Sequence, residues 1–142
     1  MTRPRPSAQA AAPVLRLTVP GVPVAKGRPR FANGHAYTPE RTVDAEVRLG
    51  TAMRQEFAEP LDGPLMLTVE FWFARPKSWS KARRAEVIGN PHTGKPDLDN
   101  LVKTVKDAGN TILWHDDGQI FSVDAIKLYG LENSTTIEVR GI

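Results

Sequence analysis

The chain has 142 residues, of which 19 are Lys or Arg and 16 are Asp or Glu, so its formal net charge is +3. A chain of this length is one ordinary domain that buries ~68% of its extended-chain surface, enough for a core without metal or disulfide staples. It contains no cysteine, which excludes a disulfide framework, a thiolate zinc site and a cysteine nucleophile. No apolar run approaches the roughly 18 residues of a membrane helix, and residues 1–13 lack the apolar core of a signal peptide, so we expect a soluble, intracellular protein.

Charge is distributed unevenly along the chain. Residues 24–54 carry a net charge of +3 and residues 75–95 a net charge of +5, whereas residues 97–117 carry −3. Two basic segments therefore precede one acidic segment. The basic segments suit a polyanionic partner, and the acidic segment suits a divalent cation.

The first 40 residues combine one strand with many residues that break regular structure. Residues 1–13 are rich in Ala, Pro, Arg and Ser, lack any periodicity and are predicted to form a flexible tail. Residues 14–19 form a predicted first strand. Residues 20–39 contain four prolines and three glycines and are predicted to be a long loop, which in a compact domain is usually functional or mobile.

A helix and a strand follow this loop. We expect a helix over residues 40–57, with Thr38 as its N-cap and Pro39 in its first position. Residues 65–73 show the alternation of period two that is typical of a half-buried strand. Glu70 lies on the polar face of that strand, where it could supply a carboxylate to a site or simply be solvated.

The second half of the chain is predicted to contain a short helical turn, a longer helix and two strands. Within the second basic segment only residues 81–87 suggest a helical turn. Apolar residues spaced three and four apart predict a helix over residues 98–112. Residues 119–129 and 135–140 are predicted strands, joined as a hairpin. The order β-α-β-α-β-β predicts an α+β fold, in which the helices of a single domain, starting at residue 14, pack on one mixed β-sheet.

Two aspartates precede the second predicted helix. Asp97 and Asp99, separated by Leu98, point to the same side of an extended chain. Adjacent carboxylates repel each other, and one of them takes up a proton unless a cation neutralises the pair. Such hard oxygen ligands suit Mg²⁺ or Mn²⁺. Helix capping is an equal alternative, because aspartate is a preferred N-cap residue and is favourable near the positive end of a helix.

A second acidic pair, Asp116 and Asp117, follows about one helix length later. A chain that turns back after the helix could bring the two pairs into one site, although Asp-Asp-Gly is also an ordinary turn sequence. Lys103 shares a helix face with Asp99 and Asp107. It is therefore either a catalytic cation or one member of a surface ion-pair ladder.

Two ordered blocks of sequence carry the strongest functional signal. The later block reads KPDLDNLVK at residues 95–103, DA at 107–108, N at 110 and LWHDDGQI at 113–120. The earlier block reads PVAKGRPR at residues 23–30 and YTP at 37–39. Together they resemble the signature of RusA-type Holliday junction resolvases, and the resemblance runs from about residue 15 to the end of the chain.

This resemblance implies a Mg²⁺-dependent homodimeric endonuclease, with Mn²⁺ as a substitute, that resolves four-way (Holliday) DNA junctions by paired symmetric nicks in recombination and repair. It implies that Asp97, Asp99 and Asp117 hold the metal and act in catalysis, while Asp116 belongs to the turn or to an outer layer of the site. It also implies that Lys103 is the catalytic lysine of the family. A cytoplasmic location, in a bacterium or from a phage gene, and no membrane partner accompany this assignment.

The basic segments are expected to contact DNA phosphates, because we expect them to enclose the acidic site in the folded protein. The candidate residues are Lys26, Arg28, Arg30, Arg83 and Arg84. Two alternative functions stay open: a broader branched-DNA or flap nuclease that uses the same site, and a non-catalytic junction-binding protein whose aspartates are only caps and turns.

Two residues depart from the family pattern near the end of the second helix. Gly109 stands where leucine is usual, which weakens the helix by ~1 kcal/mol and removes a core anchor. Thr111 stands where glycine is usual. The end of this helix is therefore not fixed by the sequence pattern.

Overall fold

The computed structural model describes residues 12–142, so most of the predicted tail lies outside the described residues. The first strand begins at residue 12, two residues earlier than expected. In chain order the elements are β1 (Ala12–Pro20), β2 (Arg30–Ala32), β3 (His35–Tyr37), α1 (Glu40–Glu56), β4 (Leu65–Ala74), α2 (Lys81–Glu86), α3 (Leu98–Gly109), a 3-10 turn (Asp117–Gln119), β5 (Ile120–Gly130) and β6 (Ser134–Gly141). No helix in the described part of the chain is both long and apolar enough to cross a membrane.

Four strands form one mixed sheet in the order β1-β6-β4-β5. β4 and β5 run parallel, whereas β6 runs antiparallel to both of its neighbours, β1 and β4. The helices α1 and α3 pack together beside this sheet. The prediction of an α+β domain with helices on one mixed sheet is thus confirmed.

The predicted hairpin of the last two strands is wrong. β5 and β6 lie on opposite sides of β4, so the chain crosses the end of β4 between them. Asn133, in this connection, accepts a hydrogen bond from the backbone N–H of Ala74 (2.8 Å) through its side-chain oxygen. Its carbonyl also accepts from the N–H of Gly21 (3.1 Å). These contacts satisfy backbone donors at the ends of β4 and β1, which lets a short connection span the intervening strand.

The core forms where one face of the sheet meets the helices. Alternate residues of β4 are buried, and their neighbours on the other face are half-exposed, as the period-two pattern predicts. The buried set comprises Leu65, Leu67, Val69, Phe71 and Phe73 from β4, Leu49 and Met53 from α1, and Leu101 and Val105 from α3. Burial of each such side chain contributes roughly 1.5–3 kcal/mol, so this face fixes how α3 lies on the sheet.

Glu70 lies on the opposite face of β4. Its carboxylate is 3.9 Å from the guanidinium of Arg16 on β1. A site at the start of α3 is on the other side of the sheet, because side chains alternate strictly along a strand. Glu70 therefore does not supply a carboxylate to such a site.

Two details of the first half differ from the sequence expectations. The helix α1 begins at Glu40 with Pro39 as its N-cap, and Thr38 makes no cap. The predicted loop contains the small hairpin β2–β3, which turns at Asn33 and Gly34, both with positive φ (52° and 78°). Asn-Gly is the sequence signature of a two-residue turn with positive φ at both positions, so the hairpin could have been predicted.

The end of α3 explains Gly109, one of the two departures from the family pattern, and shows that the other, Thr111, is strained. An added Cβ at Gly109 would overlap the six-membered ring of Trp114, which is fully buried. The indole N–H of Trp114 donates to the carbonyl of Lys106 (3.2 Å) and to the side chain of Asn110 (3.1 Å). Any side chain at position 109 would therefore collide with Trp114 in its present place. Thr111 has φ of 66°, the left-handed region that favours glycine.

Candidate metal and nuclease site

Asp97 occupies the N-cap position of α3 but does not cap it. Its side chain makes no capping hydrogen bond, and both of its oxygens instead accept from the ammonium of Lys95 (2.9 and 3.0 Å). Asp99 lies in the first turn and is exposed. Half of the Asp97 side chain and most of the Lys95 side chain are exposed, at 51% and 85%, so an incoming cation could displace this lysine. The capping alternative is therefore not supported at Asp97.

Residues 92–96, which precede Asp97, form three hydrogen bonds with Lys127 of β5. The ammonium of Lys127 donates to the carbonyls of Gly94 (2.6 Å) and Pro96 (2.7 Å). The backbone N–H of His92 donates to the carbonyl of Lys127 (3.0 Å). Burial, and next the nearby charge of Lys127, lower the pKa of His92, so this imidazole is neutral at neutral pH.

Asp117 begins the 3-10 turn before β5, and the side chain of Gln119 fixes that turn. Its oxygen accepts from the backbone N–H groups of His115 (2.7 Å) and Asp116 (3.0 Å). Its nitrogen donates to the carbonyls of Leu61 and Gly63, both at 2.9 Å. The carboxamide thus uses both donors and two acceptor positions, and its orientation is set by these four partners.

The two acidic segments lie at opposite ends of α3 in one chain. Lys127 contacts the residues just before Asp97, whereas Asp117 precedes Ile120, the first residue of β5. From Ile120 to Lys127 the strand advances about 23 Å at ~3.3 Å per residue. Within residues 12–142, no group of three or more Asp, Glu, His or Cys side chains is close enough to hold a metal ion. The returning chain therefore does not bring Asp117 to Asp97 and Asp99, because Asp117 lies before the first residue of β5 and the start of α3 is reached only near Lys127, toward the other end of that strand.

Lys103 is part of a charge network on the surface of α3. Its ammonium lies 3.3 Å from one oxygen of Asp107, and its side chain is 58% exposed. The other Asp107 oxygen lies 3.1 Å from Lys26, which also contacts Glu46 at 2.6 Å. Burial lowers the pKa of Lys26, but the hydrogen bonds to these carboxylates outweigh it, and the net shift is upward. Asp107, whose role the sequence left open, therefore joins the predicted DNA-binding loop to α3.

The predicted DNA contacts differ in their availability. Arg28 and Arg30 are exposed, next to and on β2. Lys26 is half-buried between two carboxylates. Arg83 is exposed and lies 3.7 Å above the ring of Trp79. Arg84 is only partly exposed, and its Nε is buried. Arg28, Arg30 and Arg83 are thus the candidates that remain free to reach a phosphate.

The outer edge of β5 is open over its first half. Backbone hydrogen bonds with residues 89–92 cover that edge at Lys127 and Tyr129. β5 is the last strand of the sheet, and no described strand pairs with its outer edge at residues 120–126. Phe121, Val123 and Ile126 are 50%, 44% and 43% exposed there. Long apolar edge strands of this kind are templates for pairing with another chain.

Two carboxylates at the start of α3 are hard oxygen ligands of the kind that a divalent cation takes, and the basic residues around them suit a polyanion. Over residues 20–140 the chain matches the family described as Endodeoxyribonuclease RusA. The chain is also 34% identical, over 137 residues, to the uncharacterized protein YqaN of Bacillus subtilis (strain 168). That match covers 90% of this chain and 96% of YqaN. The chain therefore belongs to the RusA endodeoxyribonuclease family.

Sequence reasoning missed the two side chains that hold the acidic segments. Gln119 was part of the later motif block, but nothing in the pattern assigned it a role. Lys127 carries a weaker signal, a charge at a position of β5 that pairs with the buried Phe71. A lysine on the core side of a strand needs acceptors for its ammonium, and here two carbonyls supply them.

Proposed function

We propose that this chain is a divalent-metal-dependent endonuclease that resolves four-way DNA junctions by paired symmetric nicks in recombination and repair. Family membership supports the nuclease activity, and nucleases of this family generally require a divalent metal and act on branched DNA. The observation that carries the proposal is the pair Asp97 and Asp99, two carboxylates at the start of α3. The Asp97 carboxylate makes no capping hydrogen bond with the helix. We expect such an enzyme to work in the cytoplasm of a bacterium, where its DNA substrate lies, and to be encoded by the bacterium or by a phage.

The donor set fits Mg²⁺ or Mn²⁺, because carboxylate oxygens are the hard ligands that these ions prefer. Asp97 and Asp99 come from one chain, and we propose that Asp117 comes from a second copy. When bound, Mg²⁺ supplies a Lewis acid that polarises a phosphate oxygen and makes water a better nucleophile at neutral pH.

The open edge of β5 supports this composite site. When β5 of one copy pairs antiparallel with β5 of a second copy, the residue numbers of opposite positions add to a constant. With the two-fold axis at Val123, Ile120 of one copy lies opposite Ile126 of the other. The same register brings the second copy's Asp117 level with Tyr129, beside Lys127 and the segment that leads to Asp97. Two such sites, related by the two-fold axis, serve the two nicks. The pairing also covers exposed Phe121, Val123 and Ile126.

The remaining chemistry falls to groups on α3 and to the basic surface. Lys103, one turn after Asp99, offers an ammonium that stabilises charge developing on the phosphate or orients the attacking water. The positive end of α3 favours approach of that phosphate. Arg28, Arg30 and Arg83 contact the DNA backbone without reading its sequence.

A synthetic four-way junction tests the proposal directly. The purified chain is incubated with the junction, a flap substrate and a linear duplex of the same sequence, each in Mg²⁺, in Ca²⁺ and in EDTA. We expect paired cuts at symmetric positions on the junction in Mg²⁺ alone, and binding without cutting in Ca²⁺. Equal cutting of the flap indicates the broader branched-DNA nuclease, and binding without cutting in Mg²⁺ indicates a junction-binding protein.

A further inference from the structure

The side chain of Lys127 sits where β5 meets the segment that leads into α3. Its ammonium donates to two carbonyls, at 2.6 Å to Gly94 and 2.7 Å to Pro96. The Pro96 carbonyl belongs to the peptide bond whose N–H is that of Asp97. Lys127 therefore holds the backbone on the immediate N-terminal side of the first acidic residue.

Lys127 makes no ion pair with a carboxylate in the described part of the chain. The charge of Lys127 is close enough to His92 to help lower the pKa of that imidazole. The Asp97 carboxylate forms its ion pair with Lys95 instead. The β5 position of Lys127 pairs with the buried Phe71, so its stem lies on the side of the sheet that carries α3. A lysine in this position is costly unless its donors are satisfied, and the two carbonyls satisfy them.

We propose that Lys127 is a positioning residue of the metal site: it fixes the backbone of residues 94–96 and thereby sets where the Asp97 carboxylate points. The proposal rests on the proposed function, because it concerns the same metal site. Partners in the layer outside the ligands orient them, and their loss typically costs 10–100-fold in metal affinity.

The sign of the effect separates positioning from plain electrostatics. A positive charge near a cation site repels the cation, so removing the Lys127 charge should by itself tighten metal binding. Loss of a positioning contact should weaken it. Lys127→Met keeps most of the side-chain length and removes charge and donors together, so the two effects oppose each other in one variant. Lys106→Met, on α3, removes one lysine charge without touching residues 94–96 and reports the electrostatic effect alone.

The experiment measures Mn²⁺ affinity by calorimetry on the intact chain, for the wild type, Lys127→Met, Lys127→Arg and Lys106→Met. We expect Mn²⁺ binding to weaken about tenfold or more in Lys127→Met, to weaken less in Lys127→Arg, and to stay equal or tighten in Lys106→Met. Junction cleavage by Lys127→Met should recover at high Mn²⁺, a shift in the metal requirement rather than in the maximal rate. Thermal melts and sedimentation of each variant report folding and oligomeric state.

Unchanged or tighter Mn²⁺ binding in folded Lys127→Met overturns the proposal. If that variant does not fold, Lys127→Gln, which keeps one donor group, takes its place, with weakened binding again required. A wild type that cleaves in Mn²⁺ while both Lys127 variants bind Mn²⁺ normally refutes the positioning role alone. A wild type that neither binds Mn²⁺ nor cleaves overturns the metal-dependent function and this proposal together.

Discussion

Thr111 holds a backbone conformation that a β-branched side chain rarely adopts. Its φ of 66° follows from the way the chain turns under Trp114, whose carbonyl accepts from the Thr111 N–H (2.7 Å). We predict that Thr111→Gly raises the free energy of unfolding by about 1 kcal/mol, because glycine adopts this conformation without strain. Thermal and urea unfolding measure the change.

Thr51→Gly is the matched control for this substitution. Thr51 is exposed within α1, where glycine lowers helix stability by several tenths of a kcal/mol. The same substitution should therefore have opposite signs at positions 111 and 51. Destabilisation at both positions would mean that the Thr111 side chain contributes more than its backbone strain costs.

Substitution of Lys103 distinguishes a lysine that only forms a surface ion pair from one that acts in catalysis, because the two roles predict different losses of stability and cleavage rate. If the lysine only pairs with Asp107, Lys103→Ala costs about 0.3–0.5 kcal/mol of stability and little activity. We predict a single-turnover cleavage rate lower by roughly 100-fold or more, with junction affinity intact, because the ammonium meets charge that develops only in the transition state. Lys103→Arg should rescue poorly, since its donor geometry differs.

Lys106→Ala is the control for Lys103, as it removes an equal charge from the same helix. Its cleavage rate should stay close to that of the wild type. A rate for Lys103→Ala within a few-fold of the wild type would remove Lys103 from the chemistry and leave it in the ion-pair network.

At the scale of elements, the loop and hairpin before α1 divide their basic residues between two tasks. Lys26 is held by Glu46 and Asp107, whereas Arg28 and Arg30 are exposed. We predict that Arg28→Ala combined with Arg30→Ala reduces the salt slope of junction binding by up to ~2, because each lost phosphate contact releases about one counterion fewer. Lys26→Met should instead lower stability with little change in slope.

Arg16→Ala provides the baseline for these slopes, since Arg16 lies on the face of the sheet opposite α3. Its salt slope should match that of the wild type. An unchanged slope in the Arg28 and Arg30 double variant would place both side chains outside the DNA interface.

The elements with strong local periodicity could be predicted from the sequence, and those set by strand order could not. β4, α1 and α3 lie within a few residues of their expected bounds. Buried residues recur at every second position of the strand and at every third or fourth position of the helices, so each period can be read from the sequence. The pairing of β5 with β4 rather than β6 depends on contacts far apart in the chain. For the same reason the motif could identify Asp97 and Asp117 as a candidate pair but not place them at opposite ends of α3.

At the scale of the whole molecule, the proposed metal site requires two copies of the chain. We predict that Val123→Asp gives a folded monomer that neither binds Mn²⁺ tightly nor cleaves, because buried like charges would face each other at the two-fold axis. Val47→Asp is the control, since Val47 is 61% exposed on α1, on an element separate from the β5 edge. Sedimentation velocity gives the oligomeric state. A Val123→Asp dimer that still cleaves would exclude the β5 edge as the interface.

In the proposed composite site, Asp97 and Asp99 of one copy act together with Asp117 of the other copy. Asp97→Asn, Asp99→Asn and Asp117→Asn should each abolish cleavage and retain junction binding, since asparagine keeps the size but not the charge that a hard cation requires. Asp44→Asn, at an exposed position of α1, should cleave normally.

The most direct measurement is cleavage by a mixed dimer of Asp99→Asn and Asp117→Asn, co-expressed with different tags and purified through both. In a composite site, one of the two centres of that dimer combines intact Asp97 and Asp99 from one copy with intact Asp117 from the other. We predict that each variant alone is inactive and that the mixed dimer makes single nicks in the junction, without the paired cuts of the wild type. A mixed dimer as inactive as either parent, with its two tags verified in one complex, would contradict a metal site built from two copies.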